Sequence, residues 1–183
     1  ALTTSLACLS PVIWIFVLKR YQKERILTLI DGKVDKLGAG WHSYQSEVSV
    51  GAGGVLGQGR GMSTQVAGSF LPENHTDFVF AKLAEENGLV GALLTLLLYL
   101  ALLLSIIYTS SVAKNRFARH LSLGIAGLFF WHIMMNVGMV LNLLPVTGVT
   151  LPILSYGGTS LVTVFAALGL VIASHGQRQV FDR

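Results

Sequence analysis

Five consecutive polar positions, Glu73, Asn74, His75, Thr76 and Asp77, bring two carboxylates, an amide, an imidazole and a hydroxyl into one short stretch of chain. Leu71-Pro72 leads into it, and Phe78 leads out towards a long apolar run. A carboxylate beside an acceptor hydroxyl in a partly dry site has its pKa raised by desolvation, towards that of a useful general base. The edge of an apolar helix bundle provides such a site, and a lipid-linked polar substrate would be handled there. A plainer reading stands beside it. Asn74 followed three residues later by Asp77 resembles a capping box, and an acid in a first helical turn gains about 0.3–1 kcal/mol from the macrodipole. His75 with Glu73 and Asp77 signals a metal site only weakly, because no ligand spacing there is diagnostic.

Other polar positions offer less chemistry. His132 and Asn136 lie one helical turn apart inside an apolar run, where polar side chains mark either a functional site or interhelical hydrogen bonds. The run Ser155-Tyr156-Gly157-Gly158-Thr159-Ser160 could hold an anion such as a diphosphate at a helix N-terminus, or simply allow close helix packing. Residues 51–61, rich in glycine and ending near Arg60, lack the Gly-Lys-Ser/Thr of a phosphate loop and fit no dinucleotide fingerprint. Their glycines predict a tight turn that lets backbone approach something closely.

These groups need elements to position them. Only 12% of the residues are charged, against about 25% in soluble domains, and the mean hydropathy is +0.64. No Asp, Glu, Lys or Arg occurs between Glu86 and Lys114, or between Arg119 and Arg178. At about 20 apolar residues per span, the first gap holds one membrane helix and the second holds two. Residues 1–18, with Pro11 and Trp14, are just long enough for another. The expectation is an all-α, polytopic integral membrane protein with four transmembrane helices at 1–18, 89–112, 121–144 and 155–174. A large loop, 19–88, joins the first two, and the chain reads as the C-terminal part of something longer. Within that loop, Phe80, Leu83 and Ala84 recur at helical spacing, Lys82, Glu85 and Glu86 form a charged face, and Asn87-Gly88 marks a bend.

Short loops weigh most in orienting a membrane protein. Lys114, Arg116 and Arg119 in 113–120, with Arg178 and Arg183 in the tail 175–183, predict that both segments are cytoplasmic. The uncharged 145–154 and the Asp77 segment then face outward. A net charge of +4, spread over span ends and one long loop, gives no basic face for nucleic acid. The single cysteine, Cys8, reads as a small packed hydrophobe.

Together these residues resemble the SEDS (shape, elongation, division and sporulation) family of bacterial cell-wall polymerases. The matching pieces are Leu37-Gly38-Ala39-Gly40-Trp41-His42 with Gln45-Ser46, the glycine-rich 51–61, Thr64-Gln65, Leu71-Pro72-Glu73 with His75-Thr76-Asp77-Phe78, Ala84-Glu85-Glu86, and Leu151-Pro152 through Ser155-Tyr156-Gly157-Gly158. The first of these, with Leu144-Pro145-Val146-Thr147-Gly148, is more similar to the elongation branch than to the division branch. The sequence departs from the family pattern in Asp31-Gly32-Lys33, which lacks a proline often found after that aspartate.

The resemblance implies the C-terminal part of a ten-span bundle in the bacterial plasma membrane. It implies a peptidoglycan glycosyltransferase that polymerises lipid II into glycan strands during cell elongation. The implied partners are a class B penicillin-binding protein transpeptidase and other membrane proteins of the elongation complex. Asp77 takes the position of the catalytic aspartate, and Gln65, Glu73, His75, Thr76 and Ser155 are substrate-binding candidates. The conversion of an α-linked sugar diphosphate to a β-linked glycan is an inversion, so one base suffices. The leaving diphosphate needs positive charge from Arg60, a helix N-terminus or a divalent cation such as magnesium or manganese. Two rival classes fit the same residues: a flippase for the same lipid, and a scaffold whose loops activate the transpeptidase.

Overall fold

The computed structural model describes residues 41–59 and 76–180. The expected span 1–18 and most of the loop 19–88, including Arg60, Gln65, Glu73 and His75, lie outside those residues. Among the described residues every regular element is a helix: α1, Trp41–Ala52; α2, Val79–Val112; α3, Arg116–Val140; and α4, Gly158–Val180. Two of them, α2 and α3, are long and apolar enough to cross a membrane, and the Gly158–Ser174 part of α4 is a shorter apolar helix.

The bend expected at Asn87-Gly88 is present. Gly88 has φ 66° and ψ −166°, which breaks α2 into two helical pieces. Beyond it, Leu89 to Val112 covers about 36 Å at about 1.5 Å per residue, enough for a bilayer core of about 30 Å. A continuous helix would send the N–H groups of Leu89 and Val90 to the carbonyls of Glu85 and Glu86. Here the glycine-rich turn is inserted between them. Gln58 N donates to Glu85 O at 3.0 Å and Gly59 N to Glu86 O at 3.1 Å, while Leu89 N donates to Gly54 O at 2.9 Å and Val90 N to Val55 O at 3.2 Å. All four groups released by the kink are therefore satisfied by backbone, as a break in an apolar helix requires.

That insertion explains the glycines. A Cβ on Gly57 would lie 2.2 Å from Glu86 O, and one on Gly53 2.0 Å from Ala84 O. It also corrects the expected charged face. Lys82 and Glu86 are half-buried, but Glu85 has 0% exposure, because the turn after α1 covers its side of the helix.

The bundle is joined by a tight turn and a long irregular segment. Asn115 caps α3, accepting from Phe117 N at 2.9 Å, and Ser110 Oγ donates to Arg119 O at 2.9 Å. Helix α3 therefore starts at Arg116 rather than the expected Leu121, since Arg116, Arg119 and His120 are exposed and need not leave the helix to stay wet. It ends at Val140 rather than Leu144, where Gly138 O turns to accept from Leu143 N and Leu144 N, and Asn142 adopts φ 56°. Residues 141–157 then run without regular structure, yet Leu151, Pro152 and Ser155 in this segment are buried. Phe78, Phe80, Ala81, Tyr99, Met139 and Leu151 form one apolar core; Ile106, Ile125, Phe129, Val164 and Val171 form a second further along the helices.

Candidate active site

Asp77 lies in a turn, not in a helix. Helix α2 begins at Val79 with Phe78 as its N-cap, no side chain caps that end, and the first turn holds no acid. The capping-box expectation therefore fails for Asp77, which sits outside the turn where the macrodipole acts. The physical reason is that the backbone of 76–77 is held from elsewhere.

Two side chains hold it. Asn136 Nδ2, on α3, donates to Asp77 O at 2.8 Å and to Val149 O at 2.7 Å. Ser155 Oγ donates to Thr76 O at 2.7 Å and accepts from Leu151 N at 2.7 Å. Each side chain thus ties the Asp77 segment to the irregular 149–151 segment. Asn136 is 0% exposed and Ser155 2% exposed. Tyr99, on α2, donates its hydroxyl to Pro152 O and fixes the same irregular segment from a third side. Ser46 Oγ, on α1, donates to Val140 O at 3.1 Å and secures the end of α3.

The Asp77 side chain is half-buried and lies against Gly148. A Cβ built on Gly148 would sit 3.2 Å from Asp77 Oδ2, and Gly148 has φ 69°. Thr150, in the adjoining segment, faces a groove of about 430 Å³ between α3 and α4. His132, Thr150, Thr159, Ser160 and Thr163 line it together with Leu128, Phe129 and Val164. Thr150 Oγ1 is 3.2 Å from Ser160 Oγ, and His132 Nδ1 is 3.4 Å from Thr150 O.

Of the seven site residues singled out in the sequence, Thr76, Asp77 and Ser155 are described, and they are brought together. The Ser155 hydroxyl is engaged with two backbone groups, which makes it a support for the Asp77 turn. Asn136 had drawn attention only as a polar residue within a span; its partners are backbone carbonyls 59 and 13 residues away. Gly148 carried no signal beyond standing in an uncharged connection. Among the described residues no group of three His, Cys, Asp or Glu side chains is placed to hold a metal ion.

Comparison with known proteins supplies the family context. The family of FtsW/RodA/SpoVE cell cycle proteins matches residues 1–179. The chain is 41% identical over 177 residues to the peptidoglycan glycosyltransferase MrdB of Escherichia coli K12, covering 97% of this chain and 48% of that protein. It is 38% identical over 162 residues to the peptidoglycan glycosyltransferase RodA of Treponema pallidum, covering 88% of this chain and 37% of the relative. A solved structure described as showing the structural coordination of polymerization and crosslinking by a peptidoglycan synthase complex superposes with a TM-score of 0.72 at 36% identity, over 96% of this chain and 48% of that one. The chain thus spans about half the length of the curated relatives it matches or less.

Proposed function

The chain belongs to the FtsW/RodA/SpoVE family of cell cycle proteins, and on that premise we propose that it carries the acceptor-activating part of a peptidoglycan glycosyltransferase of the elongation branch. The observation that carries this reading is the Asp77 turn. A half-buried carboxylate is presented at the entrance to an apolar helix, on backbone held by two buried side chains. The substrate proposed is lipid II, a disaccharide on a lipid diphosphate, and the chain would lie in the bacterial plasma membrane with the Asp77 turn on the outer side.

In this mechanism Asp77 accepts the proton of the acceptor sugar hydroxyl as that oxygen attacks the anomeric carbon of the donor. The bond from that carbon to the diphosphate breaks in the same displacement, with inversion. Gly148 lets the carboxylate lie close against the 148–151 segment. Arg60, Gln65, Glu73, His75 and Thr76 are proposed to contact substrate. A divalent cation such as magnesium or manganese would supply positive charge to the leaving diphosphate when bound. The proposed partner is a class B penicillin-binding protein, which would cross-link the strand as it grows. The relatives named as glycosyltransferases and the synthase-complex superposition support this reading.

Replacing Asp77 tests it. Asp77→Asn keeps size and hydrogen bonding but removes the base, so glycan synthesis from lipid II should fall about 10²–10⁴-fold while folding survives. Asp77→Glu should recover little, since a misplacement of about 1 Å can cost about 10²-fold. Lipid II transfer across vesicles is measured in parallel. Lost transfer with intact polymerisation would replace the glycosyltransferase reading with transport.

A further inference from the structure

The two hydrogen bonds that hold the Asp77 turn fall on consecutive carbonyls, and their placement has a geometric consequence. The Thr76 carbonyl belongs to the peptide plane before the Asp77 Cα, and the Asp77 carbonyl to the plane after it. Ser155 Oγ holds the first at 2.7 Å and Asn136 Nδ2 the second at 2.8 Å. Peptide units are planar, so fixing both planes fixes φ and ψ at Asp77 and with them the Cα–Cβ direction. The side-chain torsions then set where the carboxylate lies, and Gly148 bounds one side of that space.

We propose that Asn136 is a positioning residue for the reaction, aiming the Asp77 carboxylate by locking the peptide plane that follows it, with Ser155 locking the plane that precedes it. The inference rests on the reading of Asp77 as the base. Asn136 suits the task because its two amide hydrogens reach two backbones at once, Asp77 O and Val149 O. The carbonyl it holds is thereby registered against the segment that carries Gly148. Its Oδ1 finds no hydrogen-bond partner among the described residues, so its resolved polar interactions are those two donations. Neither helix packing nor an interhelical side-chain bond accounts for that arrangement. Ser155 acts in the same way from the other side, with its own position set by Leu151 N. Neither residue touches the reacting atoms.

The test separates aiming from mere stability. In the intact protein, Asn136→Ala, Asp77→Asn and the double variant are compared as monodisperse fractions in detergent, with lipid II as the substrate. Asn136→Ala is expected to lower kcat by about 10–10²-fold, because displacing a catalytic group by an ångström costs about that much, with KM changed less than about twofold, as for an interaction made only in the transition state. In the Asp77→Asn background, adding Asn136→Ala should change the residual rate less than about twofold, since a residue acting through another is grossly non-additive with it. Ser155→Ala should repeat both results, a loss of kcat in the native background and little further loss in Asp77→Asn, and Ser155→Thr, which retains the hydroxyl, should lose less than Ser155→Ala. The Ser155 pair carries the test alone where Asn136→Ala gives no monodisperse protein. Unchanged kcat in Asn136→Ala, or an equal proportional loss with and without Asp77, would overturn the positioning role. Full turnover in Asp77→Asn alone would instead overturn the base assignment, a result visible without any Asn136 variant.

Discussion

The kink at Gly88 and the turn at Asp77 lie at the two ends of the first helical piece of α2, and both interrupt backbone hydrogen bonding next to apolar core. They solve that problem by opposite means. At Gly88 the Glu85 and Glu86 carbonyls and the Leu89 and Val90 N–H groups are all taken up by backbone of residues 54–59. At Asp77 the carbonyls are taken up by side chains, Asn136 and Ser155. A backbone splint has no adjustable part, and it works only where glycine lets two chains come within contact distance. Side-chain pins can be moved one at a time, so they suit a place where one direction must be set. On the proposed reading of Asp77, the difference separates a break that is architecture from one that sets the direction of a side chain.

The comparison breaks most sharply at Gly88. In Gly88→Ala the new Cβ would lie 2.3 Å from Gly57 N and 2.5 Å from Val55 O, both backbone atoms, at φ 66°. Strain of about 1–3 kcal/mol for the backbone region and a similar cost for overpacking suggest a loss on the order of 4 kcal/mol. Thermal unfolding in detergent should show a large fall in midpoint, with poor recovery of folded protein. A normal midpoint would mean that the splint is not a fixed part of the fold.

Gly148→Ala touches the other region and should act differently. Its Cβ would meet Asp77 Oδ2 at 3.2 Å, a side-chain atom that can give way by a few tenths of an ångström. At φ 69° the alanine should cost about 1–2 kcal/mol of stability. Polymerisation per folded molecule should fall roughly tenfold as the carboxylate is displaced. Steady-state rates on size-selected protein check this, and full activity would remove Gly148 from the carboxylate's surroundings.

Much of this arrangement was legible in the sequence, and the remainder was not for a physical reason. Uncharged runs located α2 and α3, and Asn87-Gly88 marked the kink, because both are local properties of composition and backbone freedom. The glycines of 51–61 announced a close approach, but its target at 85–90 depends on long-range pairing that no local pattern encodes. Asn136 stood out as a polar residue in an apolar helix. That it reaches the Asp77 carbonyl could not be read, because a backbone carbonyl is present at every residue and leaves no trace in the sequence. The helix ends shifted for a similar reason. Arg116 and Arg119 read as loop residues, whereas exposed charges are equally at home on the first turns of a helix near an interface.

Tyr99→Phe is the milder way to sharpen the contrast on the side-chain side. It removes one pin on the irregular segment, but Pro152 O still accepts from Leu154 N at 2.9 Å. With a partner remaining, the loss should be near the net value of a single hydrogen bond, about 0.5–1.5 kcal/mol. A small drop in unfolding midpoint with nearly normal polymerisation is expected. A collapse comparable to Gly88→Ala would show that the side-chain region is as rigidly determined as the splint, and the distinction between them would fail.

The smallest effect, and the one of opposite sign, belongs to Gly51. It lies near the end of α1, a few residues before the splint, and a Cβ there would meet nothing within 4 Å. Alanine should therefore bring only its lower unfolded-state entropy, which stabilises by about 0.4–1 kcal/mol at a compatible position and less near a helix end. Gly51→Ala should raise the unfolding midpoint slightly and leave glycan synthesis unchanged. Set beside Gly88→Ala, it isolates the cause, since both substitutions add the same methyl group within or beside one glycine-rich region. If intolerance came from the general flexibility of that region, both would damage it. If it comes from the contact between residues 54–59 and the kink, only Gly88→Ala will. A loss of stability in Gly51→Ala approaching that of Gly88→Ala would mean that flexibility, and not close backbone contact, is what these glycines provide.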